Sequence, residues 1–120
     1  MAKILAVDDS SSMRHMVSFT LKKDGHEVTE AEDGLVALSI ARENEFDLVV
    51  TDVNMPNMDG ITLIAELRKL PDFKATPLLL LTTESAEEKK QAGKQAGATG
   101  WIVKPFNPEQ LLTVIKHALN

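Results

Sequence analysis

The sequence predicts an α/β fold in which a five-stranded parallel sheet carries helices on both faces. Three observations predict it. Five short apolar, largely β-branched runs stand out along the chain. Between and after them lie five segments whose apolar residues recur at three- and four-residue spacing, so strand and helix alternate throughout. The polar residues able to do chemistry interrupt the pattern just after strands, where the loops of a parallel sheet share one edge.

Each element has a local cause. Lys3–Val7, Leu48–Thr51 and Leu78–Leu81 are dominated by Ile, Leu and Val, which suits strands buried on both faces. Glu27–Ala31 alternates and reads as a less buried strand, and Gly100–Val103 is the fifth run. Ser10–Ser12 offer N-caps for a helix carrying Met13, Met16, Val17, Thr20 and Leu21 and ending at Gly25. Asp33 caps a second, with Leu35, Leu38 and Ala41 on its apolar face. Ile61, Ile64, Leu67 and Leu70 mark a third, stopped by Pro71. Ser85 with Glu88 three residues on forms a capping box for Ala86–Gln95, closed by Gly97. Pro108 opens the fifth, with Leu111, Leu112, Ile115 and Leu119. Right-handed crossovers leave few topologies open to such a chain.

Composition narrows the functional classes. The chain has 120 residues, which fits one domain able to build its own core. It has no Cys, hence no disulfide framework, thiolate zinc site or cysteine nucleophile. No apolar run approaches the roughly 18 residues of a membrane span. Thirteen Lys+Arg against 18 Asp+Glu give a net charge of -5, which argues against direct nucleic-acid binding. Residues 1–60 hold 12 acids and 5 bases, and residues 61–120 hold 6 acids and 8 bases. That asymmetry fits a cation site in the first half and an anion contact in the second, and fits solvated faces equally well on charge alone.

Position decides between them. Asp8 and Asp9 follow the first strand, Asp52 the third, Thr82 and Thr83 the fourth, and Lys104 the fifth. Parallel topology brings three carboxylates, one or two hydroxyls and an ammonium to one rim. Two unit charges about 4 Å apart repel by roughly 4 kcal/mol at an effective dielectric of 20, so protons or a cation must relieve them. An all-oxygen donor set points to a hard ion, Mg²⁺, Mn²⁺ or Ca²⁺. Few protein ligands, with room for water and substrate oxygens, favour Mg²⁺. Lys104 is either a counter-charge to the acids or a contact for an anion arriving with the metal. Metal, ammonium and the Thr82 hydroxyl together suit a phosphoryl group. A carboxylate among them can act as nucleophile, and Asp52, on a central strand, is the choice. Asp8 and Asp9 would hold the metal, with a nearby backbone carbonyl such as that of Asn54 as a further ligand.

Val-Asp-Asp at 7–9, the run Asp-Val-Asn-Met-Pro-Asn-Met-Asp-Gly at 52–60, Leu-Thr-Thr-Glu at 81–84 and Trp-Ile-Val-Lys-Pro-Phe at 101–106 resemble the response-regulator receiver domain of two-component signalling. The resemblance covers the whole chain, 1–120, and is nearest to the single-domain, CheY-type chemotaxis regulators with no output domain. It implies a flavodoxin-like (CheY-like) fold of strand order 2-1-3-4-5. It implies that Asp52 accepts phosphate from a histidine kinase (CheA-type) or a small donor such as acetyl phosphate. Asp9, Asp52 and the Asn54 backbone carbonyl would bind Mg²⁺, with Mn²⁺ or Ca²⁺ as substitutes, and Asp8 would ligate it directly or through water. Lys104 and Thr82 would contact phosphoryl oxygens, Gly60 would permit the loop after Asp52, and the Lys104–Pro105 bond would be cis. Asn54 and Glu84 occupy positions that tune hydrolysis.

The resemblance also implies a switch: Thr82 moves to the phosphoryl group and the aromatic at 101 turns inward. Trp101 departs from the family's Tyr or Phe, and packing the larger indole inward strains the site by about 1–3 kcal/mol. Lys89, Lys90, Lys94, Trp101 and Lys116 would form the output face. The implied target is the flagellar motor switch protein, with a phosphatase as a further partner, in a cytoplasmic, monomeric protein away from membranes. A phosphorelay intermediate and a phosphate sink share this build. Three other classes compete. A Mg²⁺-dependent phosphohydrolase with an aspartyl nucleophile wants Asp-x-Asp, and position 54 is Asn. A flavin or nucleotide module wants a Gly-rich loop after the first strand, and Asp8–Ser12 has no Gly. A scaffold with a vestigial receiver fold has no need of the full acidic set.

Overall fold

A computed structural model describes residues 2–83 and 87–120. The elements run β1 (Lys3–Val7), α1 (Ser11–Lys23), β2 (Glu27–Ala31), α2 (Gly34–Glu43), β3 (Leu48–Asp52), α3 (Gly60–Arg68), a 3-10 turn (Pro71–Phe73), β4 (Leu78–Thr83), α4 (Glu87–Ala96), β5 (Gly100–Lys104) and α5 (Pro108–Leu119). All strand pairs are parallel, in the order β2-β1-β3-β4-β5. The flavodoxin-like expectation and its strand order are met.

Alternation along the central strands sorts two cores. Ile4, Ala6, Leu48, Val50, Leu79 and Leu81 face α1 and α5, where Val17, Leu21, Leu111 and Ile115 cover them. Leu5, Val7, Val49, Leu78 and Leu80 face the other way, under Ala37, Leu38, Leu63, Ile64 and Leu67 of α2 and α3. Burial on both faces is why these runs carry no polar residue until their ends. The edge strand β2 is mostly half-buried, as its alternating sequence predicts.

The caps follow the local chemistry. Ser10, Asp33 and Asp59 each accept a hydrogen bond from the backbone N–H three residues on, opening α1, α2 and α3. Asn107 and Gln110 form a reciprocal capping box at α5, which Pro108 alone did not signal. The capping role read for Ser85 lies outside the described residues.

Leu35 departs from its expected place on the apolar face: it is 51 % exposed. Gly34, Ala37, Leu38 and Ala41 form the buried stripe of α2, and Leu35 lies off it on the first turn. The ladder also reaches further than the apolar runs. Asp52 pairs in register with Leu81, Thr82 with Val103, and Thr83 with Lys104. Those residues therefore end strands rather than begin loops, because their backbones still find partners at the rim.

One side chain ties the opposite end of the sheet together. Arg68, at the end of α3, donates from Nε to the Gly97 carbonyl (2.9 Å), from Nη1 to the carbonyls of Phe73 (2.6 Å) and Thr76 (2.8 Å), and from Nη2 to Thr99 Oγ1 (3.3 Å). It thus holds the segments entering β4 and β5 against α3. Arg68→Met keeps the stem and removes the fork, leaving part-buried carbonyls without their donor. Urea unfolding should show a loss of about 2–4 kcal/mol. A loss under about 0.5 kcal/mol, the scale of ordinary surface substitutions, would show that water replaces the guanidinium freely.

Candidate functional site

The rim is assembled by strand ends. Asp8 follows β1, Asp52 ends β3, and Lys104 ends β5, so the pairing of the sheet sets their spacing. Carboxylate oxygens of Asp8, Asp9 and Asp52 all lie within 4.8 Å of one another. Lys104 Nζ donates to Asp52 Oδ1 at 3.0 Å, and the Val53 N–H donates to the same oxygen at 2.9 Å. Both partners are largely buried, their side chains 23 % and 14 % exposed. Asp52 Oδ2 accepts no hydrogen bond among the described residues, so one oxygen is anchored and one is open.

Asp8 is the most constrained of the three acids. It is 2 % exposed, its Oδ1 accepts from the Ser10 N–H at 2.9 Å, and its Oδ2 is buried with no hydrogen-bond partner among the described residues. Burial, and then the neighbouring Asp52 and Asp9 charges, push its carboxyl above the ordinary value, against the pull of the Ser10 N–H and Lys104. A buried, unpaired carboxylate oxygen is costly unless something completes it. Three carboxylates converging there suit a hard divalent ion. The donor set therefore fits the Mg²⁺ read from the sequence.

The remaining candidates are placed unequally. Thr82 is buried on the same edge, but its hydroxyl donates to the Thr83 carbonyl at 3.4 Å, a long contact, rather than to Asp52. Asn54 is exposed in the loop after β3. Glu84 lies outside the described residues. Trp101 is half-buried, opposite Leu80 in register and packed against the α2–α3 core, with Lys90 Nζ 5.7 Å from its ring centroid. It is thus not a freely exposed aromatic. Lys89 and Lys94 are exposed on α4. Lys116 instead lines an open cavity of about 910 Å³ with Ala2, Asp24 and His26, by the entering ends of the strands. The Lys104–Pro105 peptide is cis.

The loop from Val53 to Asp59 is held from two sides. Gly60 N–H donates to the Val53 carbonyl at 2.8 Å, and a Cβ on Gly60 would land on the carbonyl oxygen of Asp52. On the other side Asn57 adopts φ 69° and donates from Nδ2 to Asp33 Oδ2 at 2.8 Å, while Gly34 N–H donates to the Met58 carbonyl at 3.2 Å. The Val36 N–H, and then the Asn57 amide, hold the Asp33 carboxyl below its ordinary value. The sequence reading named Asp33 as a cap and missed Asn57; the available signal was a Pro-Asn step, since Asn tolerates the left-handed region.

A rim that gathers an acidic triad, an ammonium and a buried hydroxyl on a 2-1-3-4-5 sheet defines a class of signalling domain. The chain belongs to the response regulator receiver domain family, whose model matches residues 4–116. Within it the chain is of the CheY type. It is 46 % identical over 110 residues to chemotaxis protein CheY-3 of Vibrio cholerae, covering 91 % of this chain and 85 % of that protein. It is 37 % identical to the CheY homolog of Campylobacter jejuni, covering 98 % and 92 %. The solved structure of chemotaxis response regulator CheY4 of Vibrio cholerae superposes with a TM-score of 0.95 at 54 % identity, over 99 % of both chains.

Proposed function

We propose that this chain is a phosphorylation-activated response regulator that accepts a phosphoryl group on Asp52 with Mg²⁺ and passes the signal by a change of surface. The observation that carries the reading is the pair of Asp52 oxygens: one fixed by Lys104 and Val53 N–H, the other open beside Asp8 and Asp9. Asp8, Asp9, Asp52 and the Asn54 backbone carbonyl would hold the ion. Bound there, Mg²⁺ supplies charge neutralisation for the transferring phosphoryl oxygens.

The chain's own residues do the rest. An Asp52 carboxylate oxygen forms a bond to phosphorus as the P–N bond of a donor phosphohistidine breaks. The histidine kinase keeps the imidazole, which recovers its proton from solvent. Lys104 exchanges part of its contact with Asp52 for a phosphoryl oxygen. The Thr82 hydroxyl leaves its weak contact with Thr83 for another. Trp101, packed beside that face, follows Thr82 inward, and the surface formed by α4, β5 and Lys89, Lys90 and Lys94 changes with it. Lys116, on a separate cavity, joins only an extended version of that surface. Water attack on phosphorus later releases inorganic phosphate and restores the Asp52 carboxylate, at a rate set by Asn54 and Glu84. The domain thus assists its own phosphorylation and dephosphorylation without turning over a separate substrate. The chemotaxis names of its relatives support a CheA-type kinase as donor, the flagellar motor switch as target and a cytoplasmic place of action.

The test is intact-mass spectrometry after incubation with acetyl phosphate and Mg²⁺. Wild type should gain about 80 Da, one phosphoryl group in an acyl-phosphate linkage. Asp52→Asn, and wild type in EDTA, should gain nothing. Uptake by the variant would move the acceptor elsewhere. No uptake by folded wild type would end the phosphoacceptor reading, and steady release of alcohol from a phosphate ester would favour a phosphohydrolase.

A further inference from the structure

Asp8 and Asp9 share a peptide group, and that group is held by a side chain outside the acidic cluster. The Asp8 N–H donates to the Ala31 carbonyl of β2 at 3.1 Å. The Asp8 carbonyl, which belongs to the Asp8–Asp9 peptide, accepts from Arg14 Nη1 at 2.8 Å. Arg14 is itself fixed: its Nε donates to Glu30 Oε1 of β2 at 3.1 Å. The two side chains are 17 % and 29 % exposed, so the pair is largely shielded from water.

We propose that Arg14, locked by Glu30, is a positioning residue for the metal site, setting the plane of the Asp8–Asp9 peptide and with it the directions of both carboxylates. The inference rests on the Mg²⁺ reading above. Arg14 suits the task because its rigid fork can hold a carbonyl and a carboxylate at once, where a lysine ammonium is a single mobile point. Glu30 balances its charge, so the guanidinium contributes geometry at the site without a net repulsion of the ion. Groups that orient metal ligands in this way typically change affinity by about 10–100-fold when removed.

Charge and geometry make opposite predictions, which separates them. Arg14→Met alone removes a positive charge, so electrostatics would tighten cation binding, whereas loss of positioning weakens it. The double variant Arg14→Met/Glu30→Gln keeps the net charge and removes the grip. Geometry also discriminates between ions: Mg²⁺ demands a near-ideal octahedron, and Ca²⁺ accepts a flexible one.

The experiment is calorimetric titration of wild type, both variants and Arg14→Lys with Mg²⁺ and with Ca²⁺ at one ionic strength, with far-UV circular dichroism as a folding control. The double variant should lose about 10-fold or more in Mg²⁺ affinity and only a few-fold in Ca²⁺ affinity. Arg14→Lys should fall between it and wild type. Unchanged Mg²⁺ affinity in the folded double variant, or equal losses for both ions, overturns the proposal. If the double variant does not fold, Arg14→Lys decides by the same two criteria. Wild type that binds no Mg²⁺ overturns the metal reading and this one together, whereas a binding wild type with an unaffected variant sinks only the role of Arg14.

Discussion

Gly60→Ala should lower stability by more than about 4 kcal/mol, at the far end of what single substitutions do. Gly60 opens α3 and is buried. A Cβ there would land on the Asp52 carbonyl oxygen, with the Asp52 carbonyl carbon at 3.0 Å and the Val53 Cα at 3.2 Å. The three nearest atoms it meets are all backbone, so no rotamer change relieves those contacts. Either α3 moves away from the sheet, opening the core around Leu63 and Ile64, or the end of β3 moves and takes Asp52 from Lys104. The first route shows in urea unfolding followed by the fluorescence of Trp101, the sole tryptophan. The second shows as lost phosphoryl uptake in a chain that still folds. Wild-type stability together with wild-type uptake would mean that the loop has slack.

That same crossing marks what was legible in the sequence. Asp8, Asp9, Asp52 and Lys104 were readable because a parallel sheet converts position after a strand into position at a rim. This needs only the strand ends, which the Ile, Leu and Val runs announce. The brackets around the rim were not. Arg14 meets the Asp8 carbonyl and Glu30 through the placement of α1 beside β2, which no periodicity encodes. Asn57 reaches Asp33 across 24 residues through a left-handed backbone turn. Leu35 shares the spacing of a core residue, yet Gly34, Ala37, Leu38 and Ala41 take the buried face, and Gly34 is held against Met58 too closely to admit a Cβ. Nothing in the sequence singled out Arg68, because most of its partners are backbone carbonyls, which carry no residue-type signal.

Asp8→Asn should make the protein more stable and less functional at once. The folded state holds the Asp8 carboxyl above its ordinary value of 3.8, mainly by burial and then by the Asp52 charge. The native state therefore binds this proton more tightly than the unfolded chain does. The associated stability is complete below the unfolded value and is lost as pH rises through the folded one. At neutral pH the buried carboxyl, with one oxygen unpaired among the described residues, is a net cost, and asparagine removes the acid while its carbonyl oxygen can still accept from the Ser10 N–H. In EDTA the variant should gain roughly 1–3 kcal/mol at pH 7, the penalty of an unsatisfied buried group, and should lose the part of the pH-dependent decline that Asp8 contributes. Added Mg²⁺ should reverse the advantage: wild type gains stability by mass action as the ion binds the folded state, and a variant with a ligand removed should bind at least about 100-fold more weakly. Thermal unfolding with and without Mg²⁺, across pH 4 to 8 (roughly the carboxylate-to-neutral range), reads both effects. A variant less stable than wild type in EDTA would mean that the Asp8 carboxylate is already satisfied, and the case for a cation completing the site would fall with it.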